Sequence, residues 1–154
     1  MKRLSAVTVG LIAMAAYTGS CRADTITDWD AKATAVASFA ALGQREVAIV
    51  DLAMFDAVNS IAQRYQPYLQ QVPTLEPASP DASAASAAAT ALVLLHPQAA
   101  NEFKAALAEY LGHMSAPPAA IEAGIRLGET VAKKIVASRA EDSAVDEKRG
   151  LFRQ

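Results

Sequence analysis

The stretch Val47-Ala48-Ile49-Val50-Asp51-Leu52-Ala53-Met54-Phe55-Asp56-Ala57-Val58-Asn59-Ser60-Ile61 decides the fold class. Val47, Val50, Met54, Val58 and Ile61 recur at spacings of 3, 4, 4 and 3, the signature of one helix face. The other side carries Ile49, Leu52 and Ala53, so the segment from Arg45 to about Gln63 is apolar nearly all round. Such a helix buries itself among other helices, which makes it the expected central element.

Working outward, the same signals repeat. Thr27-Asp28-Trp29-Asp30 carries a cap and a carboxylate three residues on, and Gly43 suits a left-handed stop, which predicts a first helix over Asp28 to Leu42. Pro67 forces Gln66 out of helical geometry, and Pro73, Pro77 and Pro80 mark a crossing loop from about residue 66 to 78. Ser79-Pro80 reads as a cap followed by proline at the first helical position, and the alanine-rich run beyond it predicts a helix from Pro80 to Leu95. His96-Pro97 ends that helix and opens the next, in which Phe103, Leu107, Tyr110 and Leu111 share a stripe before Gly112. After Ser115-Ala116-Pro117-Pro118, a last helix shows Ile121, Ile125, Gly128, Ala132 and Ile135 on one face. Gly124 and Gly128 inside it cost about 1 kcal/mol each relative to alanine, which calls for close approach of another helix backbone. No strand-like alternation competes, so the expected class is all-α, about five helices in a bundle-like layer.

The ends carry different information. Lys2 and Arg3, an uncharged apolar run from Leu4 to Tyr17 and a small-residue exit over Thr18 to Ala23 read as a secretory signal over residues 1–23. Cleavage after Ala23 predicts a periplasmic or secreted protein beginning at Asp24. The alternative is a lipoprotein lipidated at Cys21, from the box-like Thr18-Gly19-Ser20-Cys21. The apolar run is shorter than the roughly 20 residues of a membrane span, and no transmembrane segment is expected. Removing residues 1–23 takes away three basic residues and no acidic one, shifting the formal net charge from -2 to -5. That balance, without basic clusters interleaved with aromatics, argues against a nucleic-acid partner. Loss of Cys21, the chain's one cysteine, also removes any thiolate metal site. Residues 24–142 form the expected helical domain, and the charged residues 143–154 an expected disordered tail.

Several residues invite a functional reading beside a structural one. Asp51 lies at the margin of the apolar arc, where a charge calls for an ion pair or a polar contact to another bundle. Asp56 and Asn59, three apart, can share one face and tie the helix to neighbouring backbone. Trp29, Tyr65 and Tyr68 read as core anchors with polar tips, or else as an aromatic ligand surface. His96 reads as a loop histidine and His113 as a helix-ending surface histidine.

Five pieces of this chain resemble the N-terminal helical region of bacterial proteins similar to vanadium-dependent haloperoxidases, of the phosphatidic acid phosphatase type 2 superfamily. They are Thr27-Asp28-Trp29-Asp30, Ala53 to Ile61, Tyr65-Gln66-Pro67-Tyr68, the helix from Ser79-Pro80 to His96-Pro97, and Ala123-Gly124-Ile125-Arg126-Leu127-Gly128-Glu129. The resemblance implies a helical layer against which a second helical bundle packs. In the family that second bundle binds vanadate, or phosphate in phosphatase relatives, through a Lys, an Arg-Pro-Arg segment, a Ser-Gly-His segment and a distal Arg and His. None of these segments occurs here; Gly112-His113 follows Leu111 where Ser is needed.

The expectation is therefore an exported, truncated N-terminal portion of such a protein, with no catalytic, cofactor-binding or metal-binding residue and no turnover alone. Its expected partner is the missing C-terminal bundle, or a second copy through an apolar face probed at Leu52. The competing reading is a complete helical binding or interaction protein of the cell envelope. Asp51, Asp56, Asn59, Tyr65, Tyr68, Gly124 and Gly128 are the expected structural motif residues.

Overall fold

The computed structural model describes residues 24–37, 41–69, 71–74 and 77–140. The expected signal segment 1–23 and charged tail 143–154 lie outside them. Among the described residues the chain is all-α. Five helices follow in order: α1 over Thr25–Val36, α2 over Ala41–Ala62, α3 over Pro80–Leu95, α4 over Ala100–Gly112 and α5 over Pro118–Ser138, with a 3-10 turn at Pro97–Ala99 before α4.

The first helix starts earlier than its capping box suggests. Asp24 is the N-cap, accepting from the Thr27 amide at 2.9 Å and from the Thr27 hydroxyl at 3.0 Å. With its amide taken by a carboxylate, Thr27 joins the first turn instead of capping it. These bonds also hold the Asp24 carboxyl below the usual carboxylate range. At the other end the chain leaves helical geometry at Ala37, whose ψ of 131° is extended. Leu42 and Gly43 consequently belong to α2. Gly43 is helical and buried rather than a left-handed stop, because it continues the Val47, Val50, Met54 stripe back by one turn. A left-handed residue does end α2: Gln63, with φ of 50°, whose amide donates to the Asn59 carbonyl.

The centre of the fold is α3, not α2. Ser79 caps it through the Ala82 amide, and every residue from Ala82 to Ala89 is buried. Alanine and serine side chains let neighbours close in from several sides, and α3 packs against α1, α2, α4 and most extensively α5. α2 instead keeps an outer face of exposed residues at Ala48, Asp51, Phe55 and Ala62.

The α3–α5 contact is the most extensive among the described helices, and it is close. A Cβ at Gly124 would lie 2.7 Å from the Ser79 carbonyl oxygen and 3.1 Å from the Ser83 amide. One at Gly128 would strike the Ser83 carbonyl oxygen and lie 2.7 Å from the Ala87 amide. The matching numbers rise together, so the two helices run parallel. The Ser79 amide donates to Ala120 at 2.9 Å and the Ser86 hydroxyl to the Ile125 carbonyl at 3.1 Å, which locks the register. On α5 the buried positions are Ala123, Gly124, Leu127, Gly128, Val131, Ala132 and Ile135, whereas Ile121 and Ile125 are half-buried at the edge of the stripe. Trp29, Val50, Met54, Leu92, Val131 and Ile135 fill the space between the helices.

Candidate functional site

Three adjacent acceptors on α2 organise the loop that follows it. Asp56 is 1% exposed; its Oδ1 accepts the Tyr68 amide at 2.7 Å and its Oδ2 the Leu69 amide at 2.9 Å. Asn59 accepts from the Arg64 and Tyr65 amides at 3.2 and 3.0 Å and donates its Nδ2 to the Tyr65 carbonyl at 2.7 Å. Ser60 accepts the Val72 amide at 3.1 Å. A proline-containing loop has no ladder of its own to satisfy its amides, and these side chains supply the acceptors. Each carboxylate oxygen of Asp56 takes one amide, so its buried charge is compensated by charge-assisted bonds. Ser60 is the member that sequence reasoning missed. Its spacing of four from Asp56 on the same helix is the signal that could have found it.

The clamp holds aromatic rings at the surface. Tyr65 is 69% and Tyr68 43% exposed, so neither is a core anchor; both belong to a loop pinned along the outside of α2. The Tyr65 ring lies 6.3 Å from that of Phe55, itself exposed on α2. The Arg139 guanidinium sits 5.1 Å from the centre of the Tyr68 ring, and the Arg139 carbonyl accepts from Arg45. Leu69 adds a further exposed apolar side chain. Trp29 alone of the three expected aromatics is a core residue, fully buried, with no acceptor for its indole N–H among the described residues.

Of the apolar residues of α2, Ile49, Val50 and Met54 are buried and Val47, Leu52, Val58 and Ile61 half-buried. The exposed apolar surface lies instead at Phe55 and on the clamped loop. Asp51 is exposed, and no ion pair joins it among the described residues. Partial burial and then the charge of Asp30 push its pKa up, the opposite of what a cationic partner does.

The histidines are separate from this surface. His113 caps the exposed end of α4, with Nδ1 2.8 Å from the Glu109 carbonyl. His96 is half-buried where α3 meets α2, its Nε2 3.4 Å from Glu46 in ion-pair range but without hydrogen-bond geometry. Two open grooves complete the surface. One, about 1040 Å³ between α1, the start of α3 and the end of α4, is lined by Asp24, Asp28, Asp81 and Glu109 with Lys32 and His113. Its carboxylates repel an oxyanion. The other, about 300 Å³, lies under residues 72–74, with Arg126 as the one basic side chain in its lining. Among the described residues no three His, Cys, Asp or Glu side chains are placed to hold a metal ion, and no helix is long and apolar enough to cross a membrane. Compared with protein-family models, curated proteins and solved structures, the chain finds no match.

Proposed function

We propose that this chain is an exported helical layer of a haloperoxidase-like or phosphatase-like protein, non-catalytic by itself, whose task is to pack against another helical body. One observation carries the reading. Two segments of the family resemblance, Ala53 to Ile61 and Tyr65 to Tyr68, make a single hydrogen-bonded unit that leaves Phe55, Tyr65, Tyr68 and Leu69 exposed. Buried acceptors spent on fixing exposed rings suit a surface that is covered in use, since rigid aromatic side chains lose little entropy on docking. The acidic groove beside α1 adds support, because vanadate or phosphate needs a cradle of cationic donors.

Two measurements test this. The coding DNA read past Gln154 in all frames is expected to contain the Lys, Arg-Pro-Arg and Ser-Gly-His segments of the parent. Their absence favours a stand-alone helical binding protein of the cell envelope. The purified chain given vanadate, peroxide and bromide, or a phosphate ester, is expected to match a protein-free control. Turnover that disappears in His113→Ala would overturn the non-catalytic reading.

A further inference from the structure

The outer face of α2 has a polarity along its length. Ala48, Asp51, Phe55 and Ala62 are exposed and Val58 half-buried, so the row bears one charge, at its N-terminal side. That charge is reinforced by Asp30 of α1, close enough to act on Asp51 electrostatically. At the other end Arg64 is exposed and in no ion pair among the described residues, its backbone amide held by Asn59. Asp51 and Asn59 are eight residues apart, about 12 Å along a helix at 1.5 Å per residue. Phe55 stands midway, with Tyr65 against it.

An acidic end at Asp51, an apolar middle at Phe55 and Tyr65, and a cationic end at Arg64, whose backbone amide is held 3.2 Å from the Asn59 side chain, are self-complementary under a two-fold rotation. We propose that this face binds a second copy of the chain, the two α2 helices crossing antiparallel over Phe55 so that Arg64 of each copy meets Asp51 and Asp30 of the other. Phe55 and Tyr65 then cover their counterparts, and the charges at both ends set the register. The proposal rests on reading the outer α2 face as a packing surface and is independent of the family resemblance.

Sedimentation equilibrium of the full chain, with reductant so that Cys21 forms no cross-link, tests it. Arg64→Glu faces two carboxylates across the axis and Asp51→Arg faces Arg64, so each is expected to raise the dimer Kd at least tenfold. An equimolar mixture of the two variants regains both residue 51–64 attractions, with Asp30 still opposing the introduced Glu at one end, and is expected to dimerise more tightly than either variant alone and less tightly than the original chain. Circular dichroism checks that each variant is folded, and Arg64→Gln, which removes the pair without adding repulsion, is expected to weaken the dimer by a smaller factor. Rising ionic strength is expected to loosen the dimer. Association unchanged in both charge variants, or a mixture no tighter than either variant alone, would overturn the proposal. So would a chain that stays monomeric throughout. Hydrophobic-dye binding lowered by Phe55→Ser would then leave the packing surface standing for a different partner, whereas no dye binding would sink that reading as well.

Discussion

Asp56 on α2 and Tyr68, twelve residues later, are joined by a 2.7 Å bond from a backbone amide to a buried carboxylate oxygen. The second oxygen takes the next amide, from Leu69. Because both oxygens accept, Asn cannot replace Asp56 without turning an NH2 group toward an amide N–H. Asp56→Ala is expected to cost about 3 kcal/mol and Asp56→Asn about 2 kcal/mol, from the worth of hydrogen bonds to charged groups and the penalty of unpaired donors. Urea unfolding midpoints measure both, and an unchanged midpoint for Asp56→Asn would show that the loop is not held in this way.

Gly128 and Gly112 make a matched pair for the helix contact. Gly128→Ala drives a methyl group into α3 backbone and is expected to destabilise by about 3 kcal/mol, at the upper end of overpacking costs. At Gly112 nothing lies within 4 Å of an added Cβ, so Gly112→Ala is expected to be neutral or stabilising by up to about 1 kcal/mol. Thermal unfolding of the two variants side by side checks the difference in sign.

Asp51 sets a pH dependence with a definite sign. Its folded pKa is raised, by burial first and Asp30 second, above the ordinary value of 3.8, so the folded state binds the proton more tightly than the unfolded state does. The ionised carboxylate therefore opposes folding at neutral pH, and this penalty fades as pH falls through the folded value toward 3.8. At protein dilutions where the chain is monomeric, Asp51→Asn is expected to raise Tm at pH 7 and to lose that advantage near pH 3. A gain that persists at pH 3 would assign the effect to something other than ionisation.

Processing gives a prediction at the covalent level. The proposed export signal over residues 1–23 predicts a mature N-terminus at Asp24, and N-terminal sequencing of protein recovered from the producing cell is expected to begin Asp-Thr-Ile-Thr. A lipid-modified Cys21 would support the lipoprotein alternative, and an intact Met1 would end the export reading.

Much of the architecture could be read directly from the chain. Pro80 to Leu95 is helical over its expected span because the Ser-Pro start, the alanine run and the His-Pro stop all act within a few residues. Gly124 and Gly128, read as places of close approach, do admit a neighbouring backbone, since nothing else repays the cost of glycine in a helix. The all-α class likewise follows from local periodicity.

What local signals could not rank, the tertiary structure decided. Both α2 and α3 are apolar nearly all round, and only packing shows that small side chains make α3 the hub while α2 keeps an outer face. Thr27 and Asp24 are both good caps; the bonds actually formed choose Asp24. The spacing of Asp56 and Asn59 puts two polar groups on one helix face, yet their acceptor sites meet amides five to thirteen residues downstream, a distance at which periodicity carries no information. For the same reason Tyr65 and Tyr68, apolar enough for a core, stand in solvent: the amides next to their side chains are pinned to the outside of α2, and backbone hydrogen bonding overrides side-chain hydropathy there.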